Sequence, residues 1–230
     1  MAARVEQGEA PSLLGAASGA IAVALFVAGA TAVGDLPDFD ASGSEIAAHV
    51  GEHRTGIQIG AALDAAAIPF LIWFLATIAG VARTSGPAPR RAAAIAFGCG
   101  VAYVAVFAVD IATLAVSALH PENLADAPEL ARALRDFEWI AIGTATPLGV
   151  AMLAALGALP LRHAAVWPRW IGWLAVGAAA AYAFRIGTLF TDSGAFAADG
   201  VLGLILPVGA ILAWVLAASA SLAIGARGGA

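Results

Sequence analysis

Two sets of residues in this 230-residue chain have types and spacings that can do chemistry. The first is His49, Glu52 and His53 in "EIAAHVGEHRTG", residues 45–56. On a helix, positions three and four apart share a face. The H-x-x-E-H spacing can therefore bring two imidazoles and a carboxylate to one point, the pattern of an inverted zinc hydrolase. In that chemistry His49 and His53 hold zinc and Glu52 activates its water. A third ligand is required, and the acids and imidazoles on the same side of the chain's apolar runs are Glu45, His120, Glu122 and Asp192. The second set is Asp64, Asp110 and Arg185, three charges inside long apolar runs, where burial in lipid is costly.

The elements that must position these residues are membrane spans. Hydrophobic residues make up 61% of the chain and charged residues 12%, with mean hydropathy +0.90, against roughly 25% charged in a soluble domain. Six apolar runs, near 13–34, 57–82, 92–118, 139–161, 169–190 and 201–225, reach the ~20 residues that cross ~30 Å of hydrocarbon. The expected fold is an all-α bundle of six transmembrane helices, one integral membrane domain over 1–230, lying in a lipid bilayer. Arg4, Arg83, Arg90, Arg91, Arg162, Arg169 and Arg227 fall on one side of the spans, and Arg54, Arg132 and Arg135 on the other. That asymmetry places both termini in the cytoplasm. All basic residues are arginine; with heavy Ala and Gly usage this points to GC-rich bacterial coding, hence a bacterial plasma membrane. Ala30 and Ala32 offer a signal-cleavage pattern after the first run, but its length and the acidic Glu6 and Glu9 before it favour a retained span. Cys99 is the only cysteine, which excludes an intrachain disulfide. A net charge of −5 without a basic stretch excludes nucleic acid as a partner.

Two connections predict a small extracytoplasmic helical cap. Ser42 and Glu45 have the S-x-x-E spacing of a capping box, so a helix starts there and runs on into the second span. "PENLADAPELARALRDFEW" carries apolar residues at helical spacing, with Pro121 and Pro128 as N-terminal punctuation. Counting from the cytoplasmic arginines at ~1.5 Å per residue, Asp64, Asp110, Arg185 and Thr144 all stand roughly 24–28 Å up, one polar layer on four helices. Two readings fit that layer. In one, Arg185 bridges Asp64 and Asp110 and the ion pairs fix the packing. In the other, the layer is a vestibule open to the outside that binds a proton, cation or small polar ligand, with Gln58 and Glu138 lining its mouth. Two carboxylates against one guanidinium leave a charge of −1 for such a ligand to balance. Pro69, Pro147 and Pro207 can kink their spans under either reading.

The zinc reading is the weaker use of the histidine pair. Glu45 is engaged if the capping box forms, Gly51 loosens the helix between the ligands, and Arg54 sets a cation beside them. The expectation is a solvated cap helix with Ile46 and Val50 turned inward, no catalytic residue and no cofactor, zinc being the one candidate. There is no phosphate-binding loop, nucleophile elbow or C-x-x-C. Three functional classes remain: binding or transport through the polar layer, an accessory subunit whose cap docks a membrane-protein partner or second copy, and a zinc-dependent membrane hydrolase. An echo between "IWFLAT" (72–77) and "AWVLAA" (213–218) raises an internal repeat.

"SGSEIAAHVGEHRTG", "FLIWFLATIAGVAR" and "WPRWIGWLAV" together resemble a group of uncharacterised six-span membrane proteins from actinobacteria. That group shares an S-x-x-E-I-A…E-H-R helix, here Ser42, Glu45, Ile46, Ala47, Glu52, His53 and Arg54, leading into a span with the aromatic core of Trp73, Phe74 and Leu75. It also shares the Pro168, Arg169, Trp170, Gly172, Trp173, Leu174 segment. The resemblance runs from about 40 to 190 and implies the six-span fold, with no activity, cofactor or catalytic residue attached. Its members usually carry an aromatic or aliphatic residue at the position of His49, which speaks further against zinc.

Overall fold

The computed structural model describes residues 12–83, 86–162, 167–191 and 193–228; Arg4, Glu6, Glu9 and Asp192 lie outside them. Every regular element among the described residues is a helix, in the order α1 (Leu13–Val33), α2 (Gly43–Glu52), α3 (Arg54–Arg83), α4 (Pro87–Leu119), α5 (Pro121–Asp126), α6 (Pro128–Arg162), α7 (Arg169–Ala183) and α8 (Leu206–Gly228). A 3-10 helix, Phe184–Leu189, prolongs α7, and a π-helix, Val201–Ile205, leads into α8. Six of these helices, counting the irregular ends, are long and apolar enough to cross a membrane. The expected all-α, six-span bundle is the fold.

Local chemistry starts the helices where the sequence marks them. Ser12 accepts from the Gly15 N–H at 3.0 Å to begin α1. Ser42 and Glu45 form both halves of the capping box on α2, whose Ile46, Ala47 and Val50 turn inward. Pro87, Pro121 and Pro128 open α4, α5 and α6, where a missing N–H leaves no bond unmade.

Two boundaries differ from expectation. The cap helix bends at His53 (φ −102°, ψ 15°) instead of running straight into the second span. The second cap segment divides at Ala127: α5 is a short separate helix, and residues from Pro128 on form the first turns of the fourth span. No proline or glycine interrupts 129–142, so nothing stops that helix from continuing inward.

Each span packs chiefly on its neighbours in sequence, and α8 closes on α1, so the six spans form a ring. Lipid supplies no hydrophobic force between helices, and close backbone approach takes its place. A methyl on Gly157 would lie 3.0 Å from the Gly172 carbonyl, and one on Gly172 would lie 2.9 Å from the Gly157 carbonyl. The same holds between α1 and α3, where a methyl on Gly60 would lie 2.8 Å from the Gly29 carbonyl.

The interior has three zones. Toward the end carrying the exposed Arg83, Arg90, Arg91, Arg162 and Arg169, Phe74, Trp214, Trp167, Leu153, Leu156, Ile171 and Tyr182 fill the ring. Under the cap, a second cluster joins Val33, Ile46, Val50, Ile57, Ala118, Leu124 and Ala131. Along α3, α4 and α6 the charged residues fall between these two clusters: Asp64 after Ile57, Asp110 before Ala118, Arg135 and Glu138 after Ala131. The proposed repeat finds no support in packing, since Trp73 is 42% exposed and Trp214 1%.

Candidate functional site

Asp64 projects from α3 toward α1 at Gly29. A methyl on Gly29 would collide with Asp64 Oδ1, so the glycine is what leaves room for the carboxylate. Asp64 is 8% exposed, and its Oδ1 is buried without a hydrogen-bond partner among the described residues. Asp110, on α4, is partly buried and makes no hydrogen bond or ion pair among the described residues. It lies within electrostatic reach of Asp64, Arg135 and Arg185.

Arg185 is 5% exposed but does not bridge the aspartates. Its Nη1 donates to the Gly203 carbonyl at 3.2 Å, and its guanidinium lies over the Trp139 ring at 5.7 Å. Gly203 sits in the π-helix, where a Cβ would overlap the Ala197 carbonyl. Wide turns of this kind release carbonyls, and irregular backbone at membrane depth persists only where protein satisfies it. Arg185 does so here. The ion-pair reading of the layer, with Arg185 between two aspartates, is thus corrected by the arginine's actual partners.

A second guanidinium occupies the layer. Arg135 and Glu138, one turn apart on α6 and each 7% exposed, pair at 3.5 Å. Arg135 also donates to the Pro37 carbonyl at 3.4 Å and lies over Trp139 at 5.2 Å. Trp139 therefore carries a guanidinium from α6 and one from the end of α7. Arg132 extends the arrangement toward the surface, donating to the Phe39 and Ala41 carbonyls at 2.7 and 2.9 Å and lying over the Phe39 ring. The Phe39 N–H donates to Asp199 at 3.0 Å. Together these contacts strap residues 37–41 across the ends of α6 and the 194–200 segment. On the opposite side of the layer, the Tyr103 and Tyr182 hydroxyls hydrogen-bond to each other, within electrostatic reach of Asp110 and Arg185.

Of the residues expected in the layer, the structure gathers Asp64, Asp110, Arg185 and Glu138. Thr144 is elsewhere: it is exposed, and its hydroxyl donates to the Ala141 carbonyl of its own helix at 2.8 Å. Gln58 is also exposed and ties α3 to the end of α4 through the Ala118 carbonyl, 3.2 Å away. Sequence reading missed Arg135, Trp139, Tyr103 and Tyr182. The signals were present: Tyr103 is two turns from Asp110, Tyr182 is one turn from Arg185, and Arg135 precedes Glu138 and Trp139 at helical spacing. Starting the fourth span at 139 left Arg135 among the loop charges.

The histidine pair takes a different form from a metal site. The rings of His49 and His53 stack with centroids 4.2 Å apart, and His53 Nδ1 contacts the His49 carbonyl at 3.1 Å. His53 and Glu52 are exposed, whereas His49 Nε2 is buried without a partner among the described residues. His120 pairs with Glu122 at 3.2 Å on the surface. Among the described residues no three His, Cys, Asp or Glu side chains gather as a metal requires. Burial lowers the pKa of His49, helped by the positive charges of His53 and Arg135 and opposed by Glu52. Hydrogen bonds from Ser42 hold the Glu45 carboxyl below its ordinary value.

A cavity of about 20 Å³ lies directly under the cap, with room for one water molecule. His49, Ser117, Arg135 and Glu138 are its polar lining, and Ile46, Val50, Ile57 and Leu114 are among its apolar walls. Of the layer, this cavity touches Arg135 and Glu138 and not Asp64 or Asp110. Among the described residues three carboxylates, Asp64, Asp110 and Glu138, face two guanidiniums, Arg135 and Arg185, one acid in excess.

Fold and site together define a multi-pass all-α membrane protein with a net-acidic polar layer enclosed between two apolar zones. No family model, curated protein or solved structure matches this chain.

Proposed function

We propose that this protein binds a proton or a small cation in the layer around Asp64 and Asp110. The membrane is the bacterial plasma membrane, with the cap on the outer face and the chain's ends in the cytoplasm. Five exposed arginines at the ends of spans away from the cap support that orientation. The observation that carries the binding reading is the buried Oδ1 of Asp64, which has no hydrogen-bond partner among the described residues, while the contacts that Arg185 and Arg135 make go to carbonyls, to Trp139 and to Glu138 and each leaves a buried Nε unpaired there. An ionised carboxylate left unpaired in a low-dielectric interior costs several kcal/mol, which a bound proton or cation removes. Phe74, Trp214 and Tyr182 close the way toward the cytoplasm, so binding is proposed and conduction is not. For a docking role of the cap, α2 turns Ile46, Ala47 and Val50 inward, while Leu130 and Phe137 of the second cap segment are exposed.

The test is thermal unfolding of the detergent-purified protein across pH and with added monovalent and divalent cations, zinc included. The expected result is a melting point raised by acid or by one cation, with the response lost in Asp64→Asn or Asp110→Asn. A wild-type melting point indifferent to every ion and unaffected by either substitution overturns the reading. A zinc response that survives both changes and vanishes in His53→Ala would restore the metal reading of the histidine pair.

A further inference from the structure

The cavity under the cap has features that packing does not explain. Its walls are mostly apolar, yet two polar atoms from lining residues, His49 Nε2 and Arg135 Nε, are buried with no partner among the described residues. Buried polar groups without a protein partner are the groups that internal water serves, and the space holds one. His49 is only half-buried, and its ring stacks on the exposed ring of His53. The imidazole thus reaches from the solvated cap surface to the cavity. Glu138 lines the same cavity and lies within electrostatic reach of Asp110.

We infer that this cavity is the port by which protons from the outer face reach the acidic layer, with His49 as the entry group and Glu138 as the receiving carboxylate. The inference rests on the proton-binding reading of the layer and adds its route. A proton taken up at Nδ1 of His49 is matched by one released from Nε2 to the cavity water. That water passes a proton to a Glu138 oxygen and is itself unchanged. The imidazole is left as the opposite neutral tautomer; with the ring turned out to the solvated cap surface, water takes the Nδ1 proton and returns one to Nε2, which resets it with no net proton change. Net, one proton moves inward and no other bond changes. The charged groups around His49 are compatible with this traffic. His53 and Glu52 flank it in its own segment, α6 presents Arg135 paired with Glu138, and on α4 the Ser117 hydroxyl lines the cavity while Asp110 lies within electrostatic reach of Glu138. Arg54 of α3 and Glu122 of α5 interact with each other at the same end of the bundle.

The experiment is a pH jump on the full-length protein in lipid nanodiscs, followed by time-resolved infrared absorption of protonated carboxyl groups. Asp64→Asn and Asp110→Asn identify the layer's bands. His49→Gln removes the entry group, and Ala131→Val fills the cavity from a residue that exchanges no proton. The expected result is an unchanged final amplitude with a rate at least about tenfold slower in both variants, the scale of a lost positioned proton carrier. Free imidazole should restore the rate in His49→Gly. An unchanged rate in His49→Gln overturns the port, as does a loss of amplitude in both variants, which would make His49 structural. Absence of any band sensitive to Asp64→Asn or Asp110→Asn in the first place overturns the layer reading instead.

Discussion

Replacing Arg135 by methionine keeps most of the apolar stem and removes the guanidinium. Arg135 and Glu138 are each 7% exposed and pair at 3.5 Å, with apolar residues of the cap cluster above them. Removing one partner of a buried pair costs about 3–5 kcal/mol, because the other charge stays behind uncompensated. The hydrogen bond to the Pro37 carbonyl is long at 3.4 Å and the stacking on Trp139 is at 5.2 Å, so they add less than the pair does. A stranded carboxylate can escape its penalty by taking a proton. The cost of Arg135→Met should therefore be largest at alkaline pH and shrink in acid. Removing both charges in Arg135→Met/Glu138→Leu should bring stability back to within about 1–2 kcal/mol of wild type, since an apolar pair of similar volume commonly replaces a buried ion pair at little cost. Denaturant titration in detergent at several pH values, run as a double-mutant cycle, measures both effects. A loss under about 1 kcal/mol at every pH, without coupling between the two positions, is the behaviour of a solvent-screened surface pair. That result would refute the enclosure of the layer.

Three other perturbations probe the parts that hold the layer. Gly29→Val should cost about 1–3 kcal/mol, the usual range for overpacking, and Asp64→Ala in the same chain should recover part of it, because Asp64 Oδ1 is the nearest atom a side chain would meet; melting curves of the single and double variants decide. For the cap, the lowered pKa of His49 means that the undocked imidazole takes a proton more readily than the docked one, so docking is at full strength above the ordinary value of 6.5 and weakens as pH falls below it. Hydrogen exchange of the α2 amides should show that slope, and His49→Asn should flatten it. Trp139→Leu removes the ring beneath Arg135 and Arg185 and the edge against Phe39, and should make the 35–42 segment several-fold more sensitive to limited proteolysis.

What the sequence made legible follows from how strongly one physical rule dominates at each place. Six spans could be read because lipid demands long apolar runs, and capping residues such as Ser42 and the helix-opening Pro128 act within a few residues of themselves. Depth along a span was readable too, which is why Asp64, Asp110 and Arg185 share a layer. Rotation about the helix axis was not. Thr144 stands at the right height and faces away, while the neighbouring Thr146 is fully buried. The difference is 200° of helical rotation, decided by which side α7 covers. Partner choice was equally hidden, because charge alone pairs Arg185 with an aspartate. The π-helix supplies a free carbonyl at Gly203 and α6 supplies an aromatic face, neither of which a single sequence displays. Arg135 was lost for a simpler reason: α6 runs eleven residues further out than its apolar run.

The excess acid separates the two roles the layer can have. A packing device gains when every buried charge has a partner, since an unpaired carboxylate is worse for stability than an apolar residue of the same size. Asp64 fails that criterion, with an oxygen buried against α1 and no donor directed at it, while Arg185 donates to a backbone carbonyl instead. Local choices that lower stability without a compensating contact are the ones expected at working sites. Asp64→Leu makes the distinction measurable. If the carboxylate served packing, its loss would lower the melting point at all pH values. If it serves a ligand, Asp64→Leu should be as stable as wild type or up to about 1–4 kcal/mol more stable at alkaline pH, where the wild-type charge is unpaired. The same variant should no longer respond to acid or cations. Stability gained together with response lost is an outcome that a structural ion pair cannot produce.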